Sequence, residues 1–115
     1  MCNINLFERA IVEGVARMLP LKQSENLLRD LQSARAMSAT ADRSLVRFVL
    51  NGYERPVYEG QHSYPVEIRL FDEDGSELTA ILYADSNDRL LELEVIRWDG
   101  GELISPKVES VEYYK

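Results

Sequence analysis

Two glutamates, Glu92 and Glu94, stand two residues apart in "LLELEVIRW" (Leu90 to Trp98), beside the single tryptophan of the chain, Trp98. On a strand, residues at that spacing share one face. Retaining-type glycoside chemistry needs two carboxyl groups about 5 Å apart, and this pair could meet that spacing. It would also need one carboxyl raised by burial, whereas a neighbouring arginine lowers both. The other chemical signals are weaker. The turns "DEDGSE" and "DSND" are acidic but lack the alternating ligands and terminal glutamate of an EF-hand. One histidine, His62, and one cysteine, Cys2, cannot build a usual zinc site. No phosphate loop, nucleophile elbow or dinucleotide fingerprint is present. Cys2 has no partner for an internal disulfide and no evident base to activate it. The residues therefore predict no catalytic group, no metal and no cofactor.

The chain has 115 residues, one domain's length, with an ordinary apolar share of 45 %. No apolar run approaches the ~20 residues that span a bilayer. The first residues carry acids inside the apolar pattern and no basic start, unlike a signal peptide. With the lone cysteine, this predicts a cytoplasmic protein. The net charge of −7 works against nucleic acid and anionic membrane, whose affinity comes from lysine and arginine on phosphate. A charged protein partner should be basic.

Positioning any site falls to helices in the first half and strands in the second. Asn5 and Glu8 form a capping box ahead of Leu6, Phe7, Ala10, Ile11, Val15, Met18 and Leu19 at helical spacing. This predicts a helix over 5–19, ended by Pro20. A second helix is expected over 24–36, with Ser24 as N-cap and Leu27, Leu28, Leu31 and Ala34 as its stripe. Strands are expected over 44–50, 65–71, 77–83 and 90–98, with an edge strand possible over 107–114. The fold class is α+β: two N-terminal helices on one face of a four- to five-stranded antiparallel meander. The stretch from Asn51 to Tyr64 is a long loop, open to two readings: a binding loop, or one that is loose or packed by its own tyrosines.

The turns set the register. A three-residue loop Glu73-Asp74-Gly75, with Gly75 left-handed, pairs Asp72 with Ser76, Leu70 with Leu78, Ile68 with Ala80 and Val66 with Leu82. One face becomes wholly apolar, and a one-residue slip would scatter it. A four-residue loop Asp85-Ser86-Asn87-Asp88 then places Leu82 opposite Leu91, Ala80 opposite Leu93 and Leu78 opposite Val95. The outer face carries Arg69, Thr79, Tyr83, Glu92, Glu94 and Trp98. In this register Thr79 opposes Glu94, and Arg69 lies within reach of both glutamates.

The segment from Phe71 to Gly100 resembles a family of small bacterial domains. Their pattern is an Asp-x-Asp-Gly turn, an alternating strand, an aspartate-containing turn, then a Leu-x-Glu-Leu-acid strand ending in an aromatic or basic pair. Asp72, Asp74, Gly75, Asp85, Leu91, Glu92, Leu93, Glu94, Arg97 and Trp98 match it. The acidic two-helix-plus-meander plan is also similar to immunity proteins of bacterial polymorphic toxins, including contact-dependent growth inhibition systems. That resemblance implies a non-enzymatic cytoplasmic protein that binds and neutralises a cognate toxin domain, and it supplies no catalytic residues to transfer. The expected contact residues are Asp72, Asp74, Tyr83, Glu92, Glu94 and Trp98, with the glutamates facing solvent. Two alternatives stand beside this: a small-ligand domain or enzyme using Glu92 and Glu94, and a module that self-associates. A monomer or weak dimer is expected.

Overall fold

The computed structural model describes residues 3–57 and 60–115, so Cys2 and Tyr58 of the long loop lie outside the described residues. Helix α1 spans Leu6–Arg17 and α2 spans Leu21–Ser33. Strands follow as β1 Ala34–Ser38, β2 Leu45–Leu50, β3 His62–Ser63, β4 Glu67–Phe71, β5 Glu77–Ala84, β6 Leu90–Arg97 and β7 Glu112–Tyr114. The sheet order is β1-β2-β6-β5-β4-β7, and β3 also pairs with β5. The α+β plan therefore holds, with more strands than expected. Only β4-β5-β6 is a true meander. β2 lies beside β6, so the chain from 51 to 66 must cross the ends of two strands to reach β4.

Local chemistry explains both helices. The Asn5 side chain accepts from Glu8 N at 2.7 Å and Glu8 Oε1 accepts from Asn5 N at 3.1 Å, which closes the capping box. The second helix starts earlier than expected. Pro20, at φ −55° and ψ 152°, is its N-cap, and Ser24 N donates to the Pro20 carbonyl at 2.9 Å. Ser24 thus sits inside the first turn. The helix also ends earlier, at Ser33. Ala34 turns extended (φ −82°, ψ 146°), and Ala34–Ser38 pairs with β2 as an edge strand. Alanine-rich residues are good helix formers, but pairing with β2 overrides that preference.

The first hairpin has the expected register. Leu70 pairs with Leu78 and Ile68 with Ala80, while Asp72 N donates to the Ser76 carbonyl and Gly75 adopts φ +88°. Two details differ further along. Val66 does not oppose Leu82: Tyr64 N donates to the Leu82 carbonyl instead, and Pro65-Val66 offset β3 from β4. The second hairpin is shifted by two residues, so Leu82 meets Leu93, Ala80 meets Val95 and Leu78 meets Arg97. Half of the shift comes from a tighter loop. Asp85 N donates to the Arg89 carbonyl, and Asp88 takes the left-handed conformation (φ 61°) that Gly75 takes in the first turn. Aspartate tolerates that conformation through its own side chain. The other half is a bulge. Tyr83 pairs with Glu92 and Ala84 with Leu90, leaving Leu91 without an opposite residue. A two-residue shift keeps each side chain on its face, so the apolar face survives.

That face meets the helices in one core. Ile11, Val12, Val15 and Ala16 of α1 and Leu27 and Leu31 of α2 are buried with Phe48, Ile68, Leu70, Leu78, Leu82, Leu90 and Leu93. Each such side chain contributes roughly 2 kcal/mol. β7, shorter than the expected 107–114 and preceded by a 3-10 turn at Val108–Ser110, closes the β4 edge. Tyr113 reaches from it to α1, where its hydroxyl donates to the Ala10 carbonyl at 3.3 Å. Gly14 admits the ring, since a Cβ there would overlap it. Among the described residues no helix is long and apolar enough to cross a membrane.

Gly14→Ala should cost ~1–3 kcal/mol as the ring is displaced. In a denaturation double-mutant cycle with Tyr113→Ala, the two losses should fall well short of additive. Full additivity would mean that β7 docks without that contact.

Candidate functional site

The two-residue shift decides where the glutamates sit. Glu94 opposes Ile81 and Leu45, not Thr79, so Arg69 is out of its reach. Arg69 instead pairs with Glu67 at 2.7 Å. The arginine beside the glutamates comes from β2: Arg47 opposes Glu92 and donates to its Oε2 at 3.2 Å. Glu92 was expected to face solvent but is only 8 % exposed. It belongs to a central strand, flanked by Arg47 on one side and Tyr83 on the other. Glu94 is half-buried and accepts from the Tyr83 hydroxyl at 3.3 Å. Burial and then the Glu94 charge push the Tyr83 phenol above its usual value.

Asp72 is a clearer correction. Placed with the turn acids as a contact residue, it is fully buried. It continues the inward alternation of Ile68 and Leu70, and Arg97 follows Leu93 and Val95 inward on β6. The two meet at the end of the sheet, with Arg97 Nη1 on Asp72 Oδ2 at 2.9 Å. Asp72 also accepts from the backbone N–H groups of Glu73, Ile104 and Ser105. Burial pushes its carboxyl upward, but these three N–H donors and Arg97 outweigh that and hold it below the usual aspartate range. Arg97 also holds Asp74 at 2.6 Å and Asp99 at 2.8 Å. Asp99 is thereby lowered to about 2, chiefly by Arg97 and then by Gly101 N–H. Three aspartates around one point would suit a cation, and the guanidinium supplies it. Among the described residues no group of His, Cys, Asp or Glu is arranged to hold a metal.

A second network fixes the start of the long loop. Tyr53 donates to Asp85 at 2.7 Å, and Arg55 pairs with the same carboxylate at 2.9 Å. Arg89 lies 4.2 Å from the Tyr53 ring centroid and pairs with Asp30. The start of the loop is thus packed by its own tyrosine, Tyr53. His62 meets Asp88 at 2.8 Å on the surface.

A concave feature of the outer face lies along β4, β5 and β7. It is a groove of about 460 Å³ whose lining includes Glu67, Arg69, Phe71, Glu77, Thr79, Trp98, Glu112 and Tyr114. Trp98 is 65 % exposed, although the C-terminal segment passes nearby. Its Nε1–H donates to Thr79 Oγ1 at 2.9 Å, which fixes the indole. Of the expected contact residues, the structure keeps Trp98 and Asp74 on the surface and half-buries Tyr83 and Glu94. It turns Asp72 inward and buries Glu92 on the outer face between Arg47 and Tyr83. Phe71, Glu77, Glu112 and Tyr114 join Trp98 instead. Outward alternation on β4 and β5 was the signal for Phe71 and Glu77. Nothing before the pairing of β7 pointed to Glu112 and Tyr114.

The model of the family described as Domain of unknown function (DUF6984) matches residues 1–107. The chain belongs to that family. No curated protein and no solved structure matches it. The family match takes in the helices, β1 to β6 and the Arg97 cluster. The groove combines that region with Glu112 and Tyr114 of β7, which lie beyond it.

Two measurements follow from this wiring. Arg97→Met should cost ~3–5 kcal/mol, because Asp72 would be left buried without its counter-charge. A loss under about 1 kcal/mol in urea unfolding would mean the cluster is not a tie. Acid should also weaken the fold. Asp42, whose carboxyl accepts from Leu103 N at 3.0 Å and Ser44 N at 3.1 Å, is lowered to about 2, with the Leu103 hydrogen bond the largest cause. A depressed carboxyl contributes stability that is complete above the unfolded value of about 4 and is lost as pH falls through its folded value. Unfolding free energy should therefore be flat from pH 7 to 5 and fall below pH 4, with a smaller fall in Asp42→Asn. A rise on acidification would contradict this.

Proposed function

We propose that this chain is a non-enzymatic binding protein of the immunity type. It would act in the cytoplasm, as a monomer or weak dimer, occluding a basic toxin domain with its acidic, aromatic outer face. The observation that carries the reading is Trp98: mostly exposed, yet held rigid by Thr79. Rigid, exposed aromatic area is what interface hot spots favour. The charge distribution supports it. Among the described residues five carboxylates are buried, and each is paired with an arginine. The remaining fifteen acids stand against eight bases. Such an excess speeds encounter with a basic partner.

Chemistry on Glu92 and Glu94 is the less favoured alternative. Arg47 holds one and Tyr83 the other, whereas a general acid needs a buried carboxyl with no cation beside it.

The test is binding to the product of the neighbouring gene. A complex at micromolar affinity or tighter is expected, and Trp98→Ala should weaken it by ~2 kcal/mol or more. Association should slow as salt rises. A neighbouring gene product that does not bind, or turnover of a substrate that Glu94→Gln abolishes, would sink the proposal.

A further inference from the structure

We infer that the groove along β4, β5 and β7 is the contact surface itself, and that it seats an arginine side chain of the basic partner against Trp98 and Glu77. The inference rests on the binding role proposed above and goes further by naming the site and the side chain. Its strongest support is a pair that the chain already makes. At one end of the groove the Arg69 guanidinium lies 5.6 Å from the Tyr114 ring centroid and pairs with Glu67. An aromatic ring and a carboxylate there hold a guanidinium between them.

The other end repeats those two parts. Trp98 is the aromatic, and Glu77 is drawn beside it where Trp98 N donates to the Glu77 carbonyl at 3.4 Å. Glu77 is exposed, and its carboxylate interacts with Arg69 only through charge, while Arg69 is ion-paired to Glu67. Glu112 stands on the β7 wall and accepts from the Tyr114 hydroxyl. Three glutamates thus face one arginine, already paired, so the groove is net negative.

Arginine fits this chemistry better than lysine. Its planar guanidinium stacks on an indole while bonding a carboxylate at its edge, whereas an ammonium keeps more of its water. The indole is fixed by Thr79, so little ordering is needed on binding. Phe71, 41 % exposed, adds apolar area for the aliphatic stem of the same side chain.

The single tryptophan reports on the site directly. The experiment titrates the protein with an oligo-arginine peptide, the oligo-lysine of equal length and an oligo-glutamate. It follows Trp98 fluorescence and the indole N–H resonance. The expected result is a saturable indole shift with oligo-arginine, about threefold or more weaker binding of oligo-lysine, and none of oligo-glutamate. Glu77→Gln should weaken oligo-arginine about fivefold, while Glu25→Gln, an exposed acid on α2, should leave it unchanged. Equal affinity for the two basic peptides would overturn the choice of arginine, and equal loss from Glu25→Gln would overturn the site. Binding that shifts other resonances and leaves the indole unmoved would overturn this site while leaving the partner-binding role standing. No saturable binding of either basic peptide would overturn the site and count against that role as well.

Discussion

The fold depends on the pairing, among the described residues, of five buried carboxylates with five arginines. Glu8 meets Arg43, Asp30 meets Arg89, Asp72 meets Arg97, Asp85 meets Arg55 and Glu92 meets Arg47. The partners lie from 25 residues apart, for Asp72 and Arg97, to 59 apart, for Asp30 and Arg89. Each pair ties two elements that the apolar core alone leaves free to slide. Glu8 caps α1 and grips Arg43, which holds a left-handed backbone (φ 60°) in the β1–β2 turn. Asp30 brings α2 to the turn before β6 and accepts from Leu90 N. A buried pair adds little net stability against a well-packed apolar isostere, but removing one partner is costly. Its value here is in fixing which elements meet.

Several of these carboxylates also satisfy backbone that has no ladder. The segment 98–107 lies outside the strands, yet Ile104 and Ser105 donate to Asp72, and Leu103 donates to the half-buried Asp42, which stands outside the five pairs. Aspartate side chains take these N–H groups where a ladder partner is missing. The chain's acidity therefore has two parts. The inward acids position loops and turns and are neutralised locally. The outward ones, Glu67, Glu77 and Glu112 among them, surround exposed aromatics and give the β4–β5–β7 face its character.

The apolar alternation of β4 to β6 could be read directly, because a period of two survives any even register shift. The capping box at Asn5 and the left-handed Gly75 were equally readable, since each rests on local chemistry. The β5–β6 register was not. Asp88 stands in the glycine position of its turn, and Leu91 bulges, and neither residue type announces itself. That error moved Arg69 toward the glutamates and hid Arg47. Strand β1 was hidden because Ala34–Ser38 is extended only through its pairing with β2. The inward parity of Asp72 and Arg97 was available in the sequence. An acid in a turn reads as solvent-facing until its charge partner is counted.

The buried acids serve structure, and Asp72 and Asp85 are held ionised by the hydrogen-bond donors around them, backbone N–H groups foremost at Asp72 and the Tyr53 hydroxyl at Asp85. A carboxyl-detected NMR titration of Asp72 and Asp85 tests it most directly. For both, burial raises the carboxyl and the surrounding donors more than reverse it. Both should therefore titrate below the ordinary aspartate value of about 3.9. A value raised toward neutrality at either residue would contradict the account, since it would mean a buried, protonated acid of the kind that acid–base catalysis uses.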